Sequence, residues 1–314
     1  MKEYFKILVS IVCLIGAIFE VIFTEVTTVP IAISKRNPIN SIKEIPLNTG
    51  DNTVYDFSAD ELGLIYLPNN DNFDQDYDYE PVAQANHTVR IPVLTYHQIA
   101  ALPKAGIARD YFVSPEIFEQ QLQYLRLKNY KTLTPQEFFA QLSKGENPIQ
   151  KSIMLTFDDG NNNNYKNAFP LLVKYGFVGV FYISSGNLAI NKTALQEMAN
   201  AGMIIDSHGR NHLDLTKVTN SDTLWSEIVG SKQALQSITG HTIYSFTYAG
   251  CGYNGNVVGV VKSAGYLIAF SCGKSIDHKS SSRYALSRMH VYNDMEDFKK
   301  LLSGTWDYPA SYSN

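Results

Sequence analysis

The sequence predicts a parallel α/β sheet closed into a barrel. Three observations predict it. Seven short apolar runs recur between residues 91 and 289, stretches of helical periodicity separate them, and the residues able to do chemistry gather where the runs end.

The first run, Ile91-Pro92-Val93-Leu94-Thr95-Tyr96-His97, delivers a histidine at its end. A helix follows, with Ser114 as N-cap, Pro115 at the first helical position, and Phe118, Leu122 and Leu125 on one face. Thr134-Pro135-Gln136-Glu137 opens a second helix, with Glu137 placed three residues after the cap as a capping box requires. Ser152 to Phe157 is a continuous apolar strand, stopped by Gly160 and the asparagines Asn161 to Asn164. Further strand signals lie at 178–183, 203–205, 243–248, 266–270 and 285–289. Helical stretches intervene at Leu171–Tyr175, Thr193–Asn200 and Asp222–Thr239.

With 314 residues the chain can hold one large barrel-type domain and bury a sizeable core, and 45% hydrophobic against 18% charged residues is the balance of a folded globular protein. A net charge of -4 without a basic patch leaves no footprint for nucleic acid. Lys2 and Lys6 precede the apolar run Ile7 to Phe19, which Val21-Ile22-Phe23 extends, so residues 1–24 read as a signal peptide or membrane anchor. Residues 25–89 lack periodicity and read as an extended polar linker, acidic from Asp71 to Glu80, with a glycosylation sequon at Asn86-His87-Thr88. The folded domain is expected over 90–304, outside the cell or at its surface, secreted or held to the membrane by the N-terminal segment. Cys13 belongs to the leader, and whether Cys251 and Cys272 meet is a question of geometry that spacing leaves open.

Asp158 and Asp159 end the strand 152–157. Two adjacent carboxylates cost desolvation and mutual repulsion, so they form either an exposed Asp-Asp-Gly turn or a site compensated by a positive group, of which a divalent metal is the strongest. His208 and His212 follow the strand 203–205 at i and i+4, a spacing that can turn two imidazoles to one point, and neutral imidazole is the commonest metal ligand. Both motifs at strand ends of one chain favour the metal.

Thr156-Phe157-Asp158-Asp159-Gly160 together with Ser207-His208-Gly209-Arg210-Asn211-His212 resembles the polysaccharide deacetylase family, carbohydrate esterase family 4, which shares the NodB homology domain. Pro92 to His97, Val113-Ser114-Pro115 and Tyr130 to Thr134 are similar to the branch that deacetylates the poly-N-acetylglucosamine of biofilms. The resemblance spans about residues 90 to 302. It implies a distorted (β/α)7 barrel and a divalent metal on Asp159, His208 and His212, a ligand set that suits zinc and tolerates nickel, cobalt or iron. It further implies Asp158 as general base and His97 as general acid, with His290 as a rival. Thr247 stands where related enzymes carry an arginine, so Arg288 is either the partner that keeps Asp158 ionised or a member of a surface ion pair.

The third motif departs from the family: Ala249, Gly250 and Cys251 stand where Pro-Tyr-Gly is usual. The backbone N–H of Gly250 can still serve the oxyanion, with less rigidity, and Tyr248 beside it is expected to contact the substrate or oxyanion. The function implied is removal of N-acetyl groups from poly-β-1,6-N-acetyl-D-glucosamine with release of acetate. Alternatives are a chitin or peptidoglycan N-acetylglucosamine deacetylase, or a catalytically weak carbohydrate-binding homologue.

Overall fold

The computed structural model describes residues 88–104 and 107–305. The expected leader (1–24), nearly all of the expected linker (25–89), Cys13 and the sequon asparagine Asn86 lie outside the described residues. Among the described residues no helix is long and apolar enough to cross a membrane.

Seven strands run in one line through a curled sheet: β1 (Val93–Tyr96), β2 (Ser152–Phe157), β3 (Gly179–Ile183), β4 (Ile204–Ser207), β5 (Ser245–Thr247), β6 (Ile268–Phe270) and β7 (Met289–His290), with an eighth short strand, Lys131–Thr132, paired beside the start of β2. Their order is β6-β5-β4-β3-β2-β1-β7, and each neighbouring pair is parallel. The two edges are drawn together. Leu286 donates its N–H to the Ala269 carbonyl at 2.9 Å, and the N–H groups of Ser271 and Gly273 reach the carbonyls of Leu286 and Arg288 at 2.9 Å each. This is the expected distorted (β/α)7 barrel.

It departs from the sequence reading in two places. The last strand is only Met289–His290, because residues 286–288 are used in the seam instead. The connection from β6 to β7 carries no α-helix. It contains a short strand, Asp277–Lys279, antiparallel to Thr88–Arg90, and a single turn, Ser280–Ser282.

The helices start and stop for local reasons. In α1 (Pro115–Leu127) the Ser114 hydroxyl accepts the Ile117 N–H at 3.3 Å. In α2 (Pro135–Lys144) the capping box is complete: Glu137 N–H reaches Thr134 Oγ1 at 3.2 Å and Thr134 N–H reaches Glu137 Oε2 at 3.0 Å. The stretch expected over Asp222–Thr239 is a helix from Ser221 to Trp225, a π turn over Ser226–Gly230, and a helix from Ser231 to Thr239.

Successive side chains of a strand face opposite sides, and the core divides accordingly. Ile153, Leu155 and Phe157 of β2 pack outward with Phe118, Leu122 and Leu125 of α1. Met154 faces inward with Val93, Val180, Tyr182 and Phe270. Helix α2 is the exception among the helices, since its Phe138, Phe139 and Leu142 join the inner cluster and fill the barrel from the N-terminal ends of its strands. The opposite ends of the strands are left to carry polar groups.

Beside α2 lies His278, 1% exposed, with its ring edge-on to Phe138 and its Nε2–H donated to the Ile91 carbonyl at 2.9 Å. Burial pushes this imidazole down to about 4 from its ordinary 6.5. The folded state therefore refuses a proton that the unfolded chain accepts, so the stability is fully present above pH 6.5 and drains away as pH falls toward 4. The amount at stake is up to about 3 kcal/mol. Denaturant melts of wild type and His278→Gln at pH 7, 5.5 and 4.5 are expected to show a shallower decline in the variant, and parallel declines would disprove the assignment.

Candidate active site

The aspartates, His97, His208, His212 and Gly250 sit on segments that leave the C-terminal end of a strand, whereas Arg288 lies just before β7 and His290 within it. Asp158, 3% exposed, gives its N–H to the Tyr96 carbonyl at 2.9 Å. Asp159 and Gly160 follow with φ of 70° each. Two consecutive left-handed residues turn the chain so that both carboxylates reach one cleft, which an extended strand would forbid. A non-glycine residue in this region costs on the order of 1 kcal/mol, a strain that persists where function requires it.

His208 follows β4, and its N–H is tied to the Ile183 carbonyl at 3.0 Å. Its Nδ1–H is shared between the Thr247 carbonyl at 3.0 Å and Thr247 Oγ1 at 2.5 Å. That leaves Nε2 turned to Asp159 Oδ1 at 3.5 Å, the same oxygen that His212 Nε2 approaches at 3.2 Å. The segment between the two histidines is not helical. Positive φ at Gly209 (79°) and His212 (56°) bends it into place.

Glu227, 1% exposed, holds that bend by accepting from the N–H groups of Arg210 at 3.0 Å and Asn211 at 2.9 Å and from Asn211 Nδ2 at 2.5 Å. Sequence reasoning missed Glu227.

The ligand atoms of Asp159, His208 and His212 lie within 4.8 Å of one another. One carboxylate and two imidazoles are a donor set a divalent cation accepts, and His208 has the backbone-carbonyl partner on its far nitrogen that metal-ligating histidines need. Asp159 and His212 are 32% and 50% exposed, so the cluster is open to solvent on one side. Burial pushes the Asp159 carboxyl up, and the hydrogen bonds from His208 and His212 more than offset it, leaving it well below the usual carboxylate range.

Asp158 has a different partner. Arg288, 4% exposed, grips it with two bonds of 2.7 Å, Nη1 to Oδ1 and Nη2 to Oδ2. Nη1 also reaches Thr156 Oγ1 at 3.2 Å, and the guanidinium lies 5.4 Å from the centre of the Tyr182 ring. Of the two readings left open for Arg288, the surface ion pair is excluded. Burial would raise the Asp158 carboxyl, and the arginine charge more than cancels this, holding it below the ordinary value. Thr247, at the position of the family's arginine, orients His208 instead.

His97 follows β1. Its ring is edge-on to Tyr111 at 4.9 Å and tilted against His290 at 5.2 Å. Burial pulls its imidazole down, while the charges of Asp158 and Asp159 push back. Its carbonyl accepts from Asn161 Nδ2 and Asn164 Nδ2 at 3.0 Å each, and Asn167 Nδ2 holds the Ile99 carbonyl at 2.7 Å. The asparagine run therefore does more than end a strand: it ties the His97 segment to the one carrying the two aspartates. His290, whose Nε2–H is donated to the Asp110 carbonyl at 2.8 Å, is pushed by burial down to about 4.

The segment after β5 carries Gly250, exposed, at φ 65°, then Cys251 at φ 67°. Cys251 and Cys272 form a disulfide, with Cα atoms 5.3 Å apart. Tyr248 is placed differently from its expected substrate contact. Its N–H goes to the Phe270 carbonyl at 3.1 Å and its hydroxyl to the Tyr284 carbonyl at 2.8 Å, and it is 1% exposed. Both donors are spent on the core, so Tyr248 supports the loop from beneath, with exposed Tyr253 stacked on it at 5.3 Å.

Comparison with known proteins agrees with this arrangement. The family model described as polysaccharide deacetylase matches residues 145–269, a span that contains Asp158, Asp159, His208, His212 and Gly250. A poly-β-1,6-N-acetyl-D-glucosamine N-deacetylase of Staphylococcus aureus is 26% identical over 216 residues, 63% of this chain and 73% of its own length. Among solved structures, a deacetylase of Streptococcus pyogenes in complex with acetate superposes with a TM-score of 0.63 at 25% identity, covering 69% of this chain and 98% of that one. A polysaccharide deacetylase of Bacillus cereus gives a TM-score of 0.60 at 29% identity, covering 69% of each. Fold, motif order and relatives converge on the polysaccharide deacetylase family of hydrolases.

Proposed function

We propose that the chain removes N-acetyl groups from poly-β-1,6-N-acetyl-D-glucosamine outside the cell, releasing acetate and leaving free glucosamine units in the polymer. The observation that carries the reading is the pairing of a carboxylate held ionised by Arg288 with the Asp159, His208 and His212 cluster, next to a histidine delivered by the first strand. The similarity to a relative named for that polymer supports the choice of substrate.

Asp159, His208 and His212 would hold the cation, and two imidazoles with one carboxylate suit zinc. Such an ion, when bound, supplies Lewis acidity toward the acetamide carbonyl and acidifies water. Asp158 takes the proton of the attacking water, and Arg288 keeps its carboxylate ionised and aimed. The backbone N–H of Gly250 is the donor for the oxyanion. As the C–N bond breaks, His97 gives a proton to the sugar nitrogen, since an unprotonated amine leaves poorly. Water and amide are thereby converted to acetate and amine with atoms balanced. The apolar leader and the disulfide, a bond that persists in oxidising compartments, support a place outside the cell, with the N-terminal segment as signal or anchor.

Acetate release from poly-β-1,6-N-acetylglucosamine, chitin oligomers and peptidoglycan, each with and without chelator, tests this. Chelator-sensitive release greatest on the first polymer is expected, and bound metal with no release from any of them defeats the proposal. The acid is tested separately. His97→Ala is expected to lower turnover by about 10²- to 10⁴-fold and His290→Ala by much less, so near-normal turnover in His97→Ala removes His97 from the role.

A further inference from the structure

We infer that the Cys251–Cys272 disulfide is the positioning device of the active-site cleft, fixing the segment that carries Gly250 against its two neighbours. This rests on the deacetylation reading above. Gly250 cannot hold its own conformation: it is exposed, and a Cβ built on it would meet nothing within 4 Å. Its φ of 65° is one of the wells glycine occupies freely among others. The restraint comes from the next residue. Cys251 also sits in the left-handed region, which a side-chain-bearing residue keeps only where its surroundings impose it.

Three bonds impose it here: the disulfide, the Ser271 hydroxyl donated to the Cys251 carbonyl at 2.6 Å, and the Cys251 N–H donated to the Tyr248 carbonyl at 3.0 Å. Cys272 is equally well anchored, lying between Ser271 and Gly273, whose N–H groups form the seam with Leu286 and Arg288. The crosslink therefore ties the segment that begins at Thr247, the residue orienting His208, to the seam that positions Arg288, the residue gripping Asp158. On its other side Gly252 is packed against Asp214 and Thr216, just beyond His212, where an added Cβ would come within 3.1 Å and 3.0 Å of their side chains. The covalent tie spans 21 residues and supplies a restraint that Ala249 and Gly250 cannot supply themselves.

The test compares wild type with Cys251→Ser/Cys272→Ser, both loaded with one metal per chain, and with wild type reduced by a phosphine, freed of reductant, and then reoxidised. Loss of the crosslink is expected to lower kcat by roughly tenfold or more, less than outright loss of an oxyanion donor. KM and metal content should be nearly unchanged, reoxidation should restore kcat, and amide exchange should quicken over residues 248–254 while β2 and β3 keep their protection. Unchanged kcat in an active enzyme, or free thiols at both positions in native protein, overturns the inference. So does exchange that quickens throughout the barrel, which would mark a merely structural bond. If native protein releases no acetate, the deacetylation reading falls separately and exchange decides: faster exchange confined to 248–254 on reduction sustains the positioning role, and unchanged exchange ends it.

Discussion

Asp158→Asn is expected to lower kcat for acetate release by about 10²- to 10⁴-fold and to leave the divalent cation bound, whereas Asp159→Asn is expected to lose the cation. The two carboxylates are neighbours in sequence, and their partners separate them. Asp158 faces one cation, Arg288, through both oxygens, while Asp159 turns Oδ1 to two imidazole nitrogens at 3.2 and 3.5 Å. An amide at 158 keeps the size of the side chain and an acceptor for one arginine N–H, although it leaves Arg288 without its counter-charge; the basicity is gone while the residues that would hold the cation are untouched. An amide at 159 removes the negative charge that the two neutral imidazoles cannot supply. Metal per chain by elemental mass spectrometry and acetate release on the same samples separate the roles. Turnover within about tenfold of wild type in Asp158→Asn, set against that 10²- to 10⁴-fold range, would refute the assignment, as would metal loss in that variant with retention in Asp159→Asn.

What was legible in the sequence was what is determined locally. Strands of a parallel sheet are covered on both faces and read as unbroken apolar runs, so all seven were found within a few residues. Ser114 and Thr134 announced their helices because a cap acts over three residues. The site was legible where two ligands share a segment, and less so where contact depends on closure of the barrel. Arg288 is 130 residues from Asp158, and no local pattern distinguishes a buried arginine from a surface one.

Glu227 looks like any polar position of an amphipathic helix, and its task appears only once the bend at Arg210 and Asn211 is folded beside it. The asparagine run was visible, but the His97 carbonyl it holds belongs to the segment that follows β1, more than 60 residues earlier. The i, i+4 spacing of His208 and His212 pointed to imidazoles able to converge from a helical or turn-like segment, and the backbone brings them together through positive φ. Tyr248 was misjudged because a tyrosine hydroxyl beside a catalytic loop looks like a substrate contact until the Tyr284 carbonyl is seen to claim it.

The second large effect concerns Arg288. Arg288→Met removes one partner of a pair in which both side chains are at most 5% exposed, and breaking such a pair typically costs about 3–5 kcal/mol because the remaining charge is stranded. Asp158 escapes that penalty by binding a proton. Its carboxyl, now held below the ordinary value by the arginine, should rise once burial acts unopposed, so the acid limb of the kcat/KM profile should move to higher pH. Wild-type stability from the pair is present above the ordinary carboxylate range and is lost only as pH falls through the depressed value; in Arg288→Met this contribution is absent at neutral pH.

Adding Asp158→Asn to Arg288→Met removes the stranded charge, so the double variant should be at least as stable as Arg288→Met alone, although it has lost both members. Its activity should not return, because the base is missing. Denaturant melts of the two single variants and the double give the coupling, expected at about 0.5–3 kcal/mol for groups in direct contact. Strictly additive losses, or an acid limb that stays in place in Arg288→Met, would show that the arginine does not keep Asp158 ionised and that its contact is one of packing alone.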